Sequence, residues 1–200
     1  MKAFSVHKPE IELVVFDCDG VLVDSEPISE RSWATVLSRY GYLPTPGDHG
    51  ATRGTSSADT TAYYLRFVDV PPGHDLLAEV DVERRRALTD ELDAFPDAVA
   101  TVRALAAEGV PLAVASSSSR YNLDLKLEKF DLPRYFDDTV AGDEVPRGKP
   151  APDLFLEAAA RLGVAAAACL AIDDTEIGAD AAVAAGMRTV QILRNGTLSD

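Results

Sequence analysis

Five short β-rich runs, each separated from the next by a stretch of helical periodicity, constrain this chain most. Leu13 to Phe16, Val110 to Ala115, Asp138 to Ala141, Cys169 to Ile172 and Thr189 to Ile192 read as strands. Brief apolar runs of this kind are what a parallel sheet covered on both faces requires. Between them, Val99, Val102 and Ala106 recur at helical spacing up to Gly109, and Leu123, Leu127 and Phe130 form a second stripe. Pro152 opens a third helix with Phe155, Ala159 and Leu162 on one face, and Ile177, Ala181 and Ala184 mark a fourth that stops at Gly186. Such alternation predicts an α/β fold, a Rossmann-like parallel sheet wrapped by helices.

One stretch breaks the alternation. From Asp24 to Asp93 no buried-strand run occurs, but three helical segments do: Ile28 to Tyr40, Ser56 to Phe67 and Asp75 to Leu92. Trp33, Val36, Leu37 and Tyr40 give the first an apolar face, whereas Leu43 to Arg53, with Pro44, Pro46, Gly47 and Gly50, reads as a loop. The expected organisation is an α/β core of residues 1–22 and 94–200 carrying a small all-α helical cap domain of residues 23–93.

Charge and composition bear on partners and compartment. A net charge of −14 disfavours nucleic acid and anionic membrane surfaces, which are bound through clustered Lys and Arg. A small anionic substrate stays compatible, because one pocket holding a metal and a few cations can oppose the sign of the whole chain. Cys18 and Cys169 lack CxxC spacing, so neither a disulfide framework nor a zinc site is expected and a cytoplasmic setting fits. No signal-peptide stretch follows Lys2 or Lys8, and the longest apolar run, Val164 to Ile172, is too short to span a bilayer. Monomer and dimer are both compatible with the sequence.

The residues with chemistry collect where the strands end. The first run terminates in Asp17-Cys18-Asp19-Gly20, and in an open parallel sheet ligands gather outside the carboxyl ends of the strands. Two acids at such a place raise each other's pKa unless a cation binds them, and hard oxygen ligands favour magnesium. The second run ends in Ser116-Ser117-Ser118-Ser119-Arg120, whose hydroxyls and backbone donors suit phosphate oxygens at a helix start. Lys149, held between Gly148 and Pro150, can be aimed at a fixed point, and the fourth run ends in another acid pair, Asp173-Asp174. Cys18, between two acids on a strand, faces the other way and is expected to pack in the core. His7, His49 and His74 share no spacing and read as loop or surface residues, and Arg84, Arg85 and Arg86 as a solvated helical face.

Taken in order, Phe16 to Glu26, Ser116, Gly148 to Asp153 and Asp173-Asp174 resemble the four motifs of the haloacid dehalogenase-like hydrolase superfamily. The match is to the subgroup with a helical cap inserted after the first strand, which holds phosphatases and β-phosphoglucomutase-like enzymes. Gly178, Ala181, Ala182 and Ala184 to Met187 extend the likeness over nearly the whole core. The resemblance implies a phosphoric monoester hydrolase in which Asp17 attacks phosphorus and Asp19 acts as general acid and base. It implies Mg2+ held by Asp17, the carbonyl of Asp19 and Asp174, with Asp173 close behind, while Ser116 and Lys149 neutralise the phosphoryl oxygens. Ser117, Arg53 and Arg120 are the expected substrate-binding residues.

The substrate implied is a small phosphorylated metabolite, a phosphate monoester, with a sugar or sugar-acid phosphate among the candidates. Dehalogenases of the family generally lack an acid at the position of Asp19, and its phosphonate hydrolases need a cap lysine, whereas no lysine lies between Lys8 and Lys126. A sugar phosphomutase shares every core motif, but Ser57 stands where mutases carry a phosphate-binding arginine, with Arg53 as a substitute. A catalytically silent scaffold is the alternative of another class. Retention of Asp17, Asp19, Ser116, Lys149 and Asp174 counts against it.

Overall fold

The computed structural model describes residues 11–194. His7, Lys2 and Lys8 lie outside that range. Five parallel strands form the core sheet: β1 (Leu13–Phe16), β4 (Leu112–Ala115), β5 (Asp138–Val140), β6 (Cys169–Asp173) and β7 (Arg188–Gln191), in the order β5-β4-β1-β6-β7. Val14 registers with Leu112 on one side and Leu170 on the other. The chain winds outward from β1 in both directions, so the direction of winding reverses between β1 and β6, where such sheets form a crevice at their carboxyl ends.

All four residues of β1 are buried, because alternate side chains feed two separate cores. Val14 and Phe16 pack with Val102, Leu112, Leu123 and Leu127 on one face, and Leu13 and Val15 with Leu154, Phe155, Ala158 and Ala181 on the other. The covering helices are α5 (Pro96–Ala107), α6 (Arg120–Lys129), α7 (Asp153–Arg161) and α8 (Glu176–Ala184). The second strand starts at Leu112 instead of Val110, since Val110 still donates to the Leu105 carbonyl in the turn that closes α5 at Gly109. Cys18 is fully buried in the first of the two cores.

Between β1 and α5 the chain forms α1 (Glu26–Arg39), α2 (Pro46–Thr52), α3 (Ser57–Tyr64) and α4 (Leu76–Glu91). Trp33, Val36, Leu37, Tyr64, Leu76 and Val80 make their shared core, with the Trp33 and Tyr64 rings 4.9 Å apart. The stretch Leu43 to Arg53 is not wholly a loop as its prolines and glycines suggest. Thr45 and Asp48 form a reciprocal capping box and Pro46 occupies the first turn, which together start a two-turn helix. Where the insertion leaves and rejoins the core, β2 (Val23–Asp24) pairs antiparallel with β3 (Asp93–Ala94), strands too short to show any periodicity in sequence. Among the described residues no helix is long and apolar enough to cross a membrane.

Candidate active site

Four chain segments far apart in sequence end at the crevice beside β1. Lys149 is 4% exposed, and its Nζ donates to Asp17 Oδ1 at 2.7 Å and to Asp173 Oδ2 at 2.8 Å. Asp173 Oδ1 accepts from the Thr175 amide at 2.9 Å and the Thr175 hydroxyl at 2.8 Å. Asp17, Asp173 and Asp174 each bring a carboxylate oxygen into a group whose members lie within 4.8 Å of one another. Two glycines make this approach possible. A Cβ on Gly20, whose φ is +75°, would stand 2.2 Å from Asp174 Oδ2, and one on Gly178 would stand 2.0 Å from Asp173.

The electrostatics of this group suit a bound cation. Burial raises the Asp17 carboxyl well above its ordinary value; Lys149 opposes this and the neighbouring acids add to it. Burial also raises Asp174, partly offset by Arg53. For Asp173, burial is outweighed by the Lys149 ammonium and the carboxyl is lowered, while Lys149 itself is raised by the two acids against its burial. Asp174 Oδ1 is buried and has no hydrogen-bond partner among the described residues. An orphaned oxygen within an all-oxygen acidic cluster fits a hard divalent cation such as Mg2+, which would reverse the upward shifts.

Asp19 is held differently, with its side chain 24% exposed. Lys126 Nζ and Ser25 Oγ both donate to its Oδ1. Its Oδ2 accepts from Ser118 Oγ at 2.9 Å and, more weakly, from Ser116 Oγ at 3.4 Å. Burial would raise this carboxyl, yet the Lys126 charge and the donated hydrogen bonds outweigh it and bring the pKa down to about 2.

The helical insertion closes the other side of the cleft. Arg53 Nη2 reaches Asp174 Oδ2 at 2.5 Å and its Nε lies 3.8 Å from Glu26. Ser117 Oγ donates to the Gly54 carbonyl at 3.2 Å, joining the β4 end to the same loop. Glu26, Glu30 and Trp33 of α1, His49 of α2 and Arg84 of α4 also line the cleft. Glu26 is raised to about 7, chiefly by burial and next by Asp19.

Of the residues expected from sequence, Asp17, Asp19, Lys149, Asp174, Arg53 and Ser117 line this one cleft, with Ser116 and Asp173 packed directly behind it. Arg120 does not join them. Its guanidinium is engaged by Glu144, Asp124 and Thr139 on the outer side of α6, so the expectation that it binds substrate is corrected. The three-arginine run also divides: Arg84 is 8% exposed and turned inward, not solvated. Leu76, Val80, Arg84 and Leu88 share the buried face of α4, so an arginine interrupting an i, i+4 apolar stripe was the signal for it. Lys126 was passed over as well. It lies beside Asn122, Leu123 and Leu127 on the buried face of α6. His49 is half-buried at the cleft and not a surface residue.

Strand ends that bring two acid pairs, and a turn that brings a lysine, to one crevice beneath a helical insertion define a class, and comparison with known proteins names it. The family model of the haloacid dehalogenase-like hydrolases matches residues 11–186, and the chain belongs to that family. Fructose-1-phosphate phosphatase YqaB of Escherichia coli (strain K12) is 33% identical over 181 residues, covering 90% of this chain and 95% of its own. A phosphorylated carbohydrates phosphatase of Thermotoga maritima is 28% identical, covering 90% and 84%. Among solved structures, CbbY from Rhodobacter sphaeroides in complex with phosphate superimposes with a TM-score of 0.77 at 25% identity, over 90% of this chain and 84% of its own.

Proposed function

We propose that this protein is a magnesium-dependent phosphatase that hydrolyses a small phosphorylated sugar or sugar derivative through an aspartyl phosphate on Asp17. The observation that carries the reading is the buried Asp17 carboxylate, fixed by Lys149 and flanked by Asp173 and an Asp174 oxygen that has no partner. Relatives that act on fructose 1-phosphate and on phosphorylated carbohydrates support the substrate class.

In this reading Asp17 presents its free oxygen to phosphorus while Lys149 holds the other oxygen and limits rotation of the carboxylate. Asp19 protonates the departing alkoxide, then takes a proton from the water that attacks the aspartyl phosphate, which regenerates Asp17. Lys149, Ser116 and the Ser117 to Ser118 backbone face the phosphoryl oxygens. A magnesium ion held by Asp17, the Asp19 carbonyl and Asp174, with Asp173 behind them, would supply charge neutralisation. The cap of residues 23–93 closes over the core of residues 1–22 and 94–200 and excludes water from the leaving group.

Hydrolysis is favoured over phosphomutase chemistry by the cap-side wall. A mutase must hold a second phosphate there, yet Arg53 is already paired with Asp174 and Glu26, and Glu26 and Glu30 add negative charge. A screen of hexose and hexitol monophosphates, with Mg2+ and with EDTA, tests the assignment. Magnesium-dependent phosphate release from at least one of them is the expected result. Isomerisation without release would replace hydrolysis by mutation of the phosphate position, and no turnover of any ester would remove the assignment.

A further inference from the structure

Lys126 is an unusual lysine for the middle of a surface helix. It is 3% exposed, and its Nζ is engaged by Asp19 Oδ1 and by Ser118 Oγ at 2.7 Å. An ammonium is seldom buried unless it is paired, so this geometry persists only because Asp19 faces it. The donors around Asp19 are of two kinds. An ammonium can only donate, whereas a serine hydroxyl rotates and can either donate or accept. Oδ1, held by Lys126 with Ser25, therefore cannot easily carry a proton. Oδ2 is contacted by Ser116 and Ser118, whose hydroxyls can turn to accept one.

We propose that Lys126 is a positioning residue for Asp19: by occupying Oδ1 it commits Oδ2 to proton exchange and fixes the carboxylate toward the leaving oxygen. The inference rests on the acid and base role given above to Asp19. The substrate, bound as its monoanion, brings the proton that sits on Oδ2, and in the first half-reaction that proton passes to the alkoxide as its bond to phosphorus breaks and the Asp17 oxygen forms the new one. In the second, water adds to phosphorus, the bond to Asp17 breaks and Oδ2 takes a proton from that water. Protons balance over the cycle, and Lys126 keeps its charge throughout. The lysine reaches this place because α6 packs against α4 of the insertion, where Asn122 Nδ2 lies 3.4 Å from Asp81, the residue that also pairs with Arg84.

The test separates Lys126 from general structural support by leaving-group chemistry. First-turnover release of an alkyl alcohol and of p-nitrophenolate from their phosphate esters would be followed by rapid quench with saturating Mg2+. For Lys126→Met, alcohol release should slow by about 100-fold while nitrophenolate release changes less than about threefold, because a stable anion leaves without a proton. Equal loss with both esters, or no loss with either, overturns the proposal. Circular dichroism checks folding, and Lys126→Gln, which retains a donor without the charge, gives the same discrimination if the Met variant fails to fold. Asp19→Asn serves as reference. If it discriminates between the esters and the Lys126 variants do not, the proposal alone falls; if it does not discriminate, the role of Asp19 falls too.

Discussion

At the floor of the cleft the Lys149 side chain is 2% exposed and hydrogen-bonded to both Asp17 and Asp173, whereas on the cap side Arg53 is 40% exposed and Glu26 29%. The floor acids come from strand ends locked in register and Lys149 from the turn before α7, and Asp17, Asp173 and Lys149 are each anchored by a second buried group. Those of the cap come from a loop and helix faces, and several are loosely paired: Arg84 Nε, for example, is buried without a partner among the described residues. The difference teaches that the reacting atoms are fixed by the sheet, while contacts to the rest of the substrate are left open to be completed by it.

Substitutions on the two sides should therefore fail differently. Asp17→Asn should abolish turnover by at least about 10⁴-fold with the fold intact, since the nucleophile is lost. Steady-state kinetics beside a thermal melt would show it, and retained activity would break the comparison at its centre. Lys149→Met should lower kcat by about 10² to 10³. It should also destabilise the metal-free protein by about 3 to 5 kcal/mol, because two buried acids lose their shared cation. Denaturation with and without Mg2+ reads this out: magnesium should stabilise the variant more than the parent.

Effects on the cap side should be smaller and of another kind. Arg84→Ala should raise KM by about tenfold and leave kcat within a few-fold, the size expected for one charged hydrogen bond. A fall in kcat alone would move Arg84 to the floor group. Glu26 titrates near 7 in the folded chain against an ordinary 4.5, so the folded state binds its proton more tightly. That stabilisation is complete below pH 4.5 and is lost as pH rises through 7. Glu26→Gln removes the dependence, so in metal-free protein the variant should gain about 1 kcal/mol on the parent between about pH 5 and about pH 8. Melts across that range would check the sign.

The same division explains what could be read in advance. Four buried apolar residues followed at once by Asp17 state a strand, its burial and the site of its end in one short segment, and Asp173 and Asp174 repeat the message. Lys149 was legible because prolines fix the chain around it. Arg120 misled because its partners Glu144 and Thr139 come from a different loop and strand, and a serine run before an arginine looks alike whether the guanidinium turns inward or out. Lys126 and Arg84 were missed for the complementary reason. On a helix a long cation beside an apolar stripe can extend to solvent, and only the element packed against it decides. The α2 helix hid behind its prolines and glycines, although Thr45 and Asp48 at capping distance carried the opposite signal.

The pairing of Val23 with Ala94 and Asp24 with Asp93 has a consequence for how such a molecule can change. Departure and return of the helical insertion are stitched together at one point, so what is threaded between them need not alter the register of the sheet. The pair acts as a socket: a different lid whose two ends meet at a strand's spacing could be fitted there while the chemistry beneath stayed as it is.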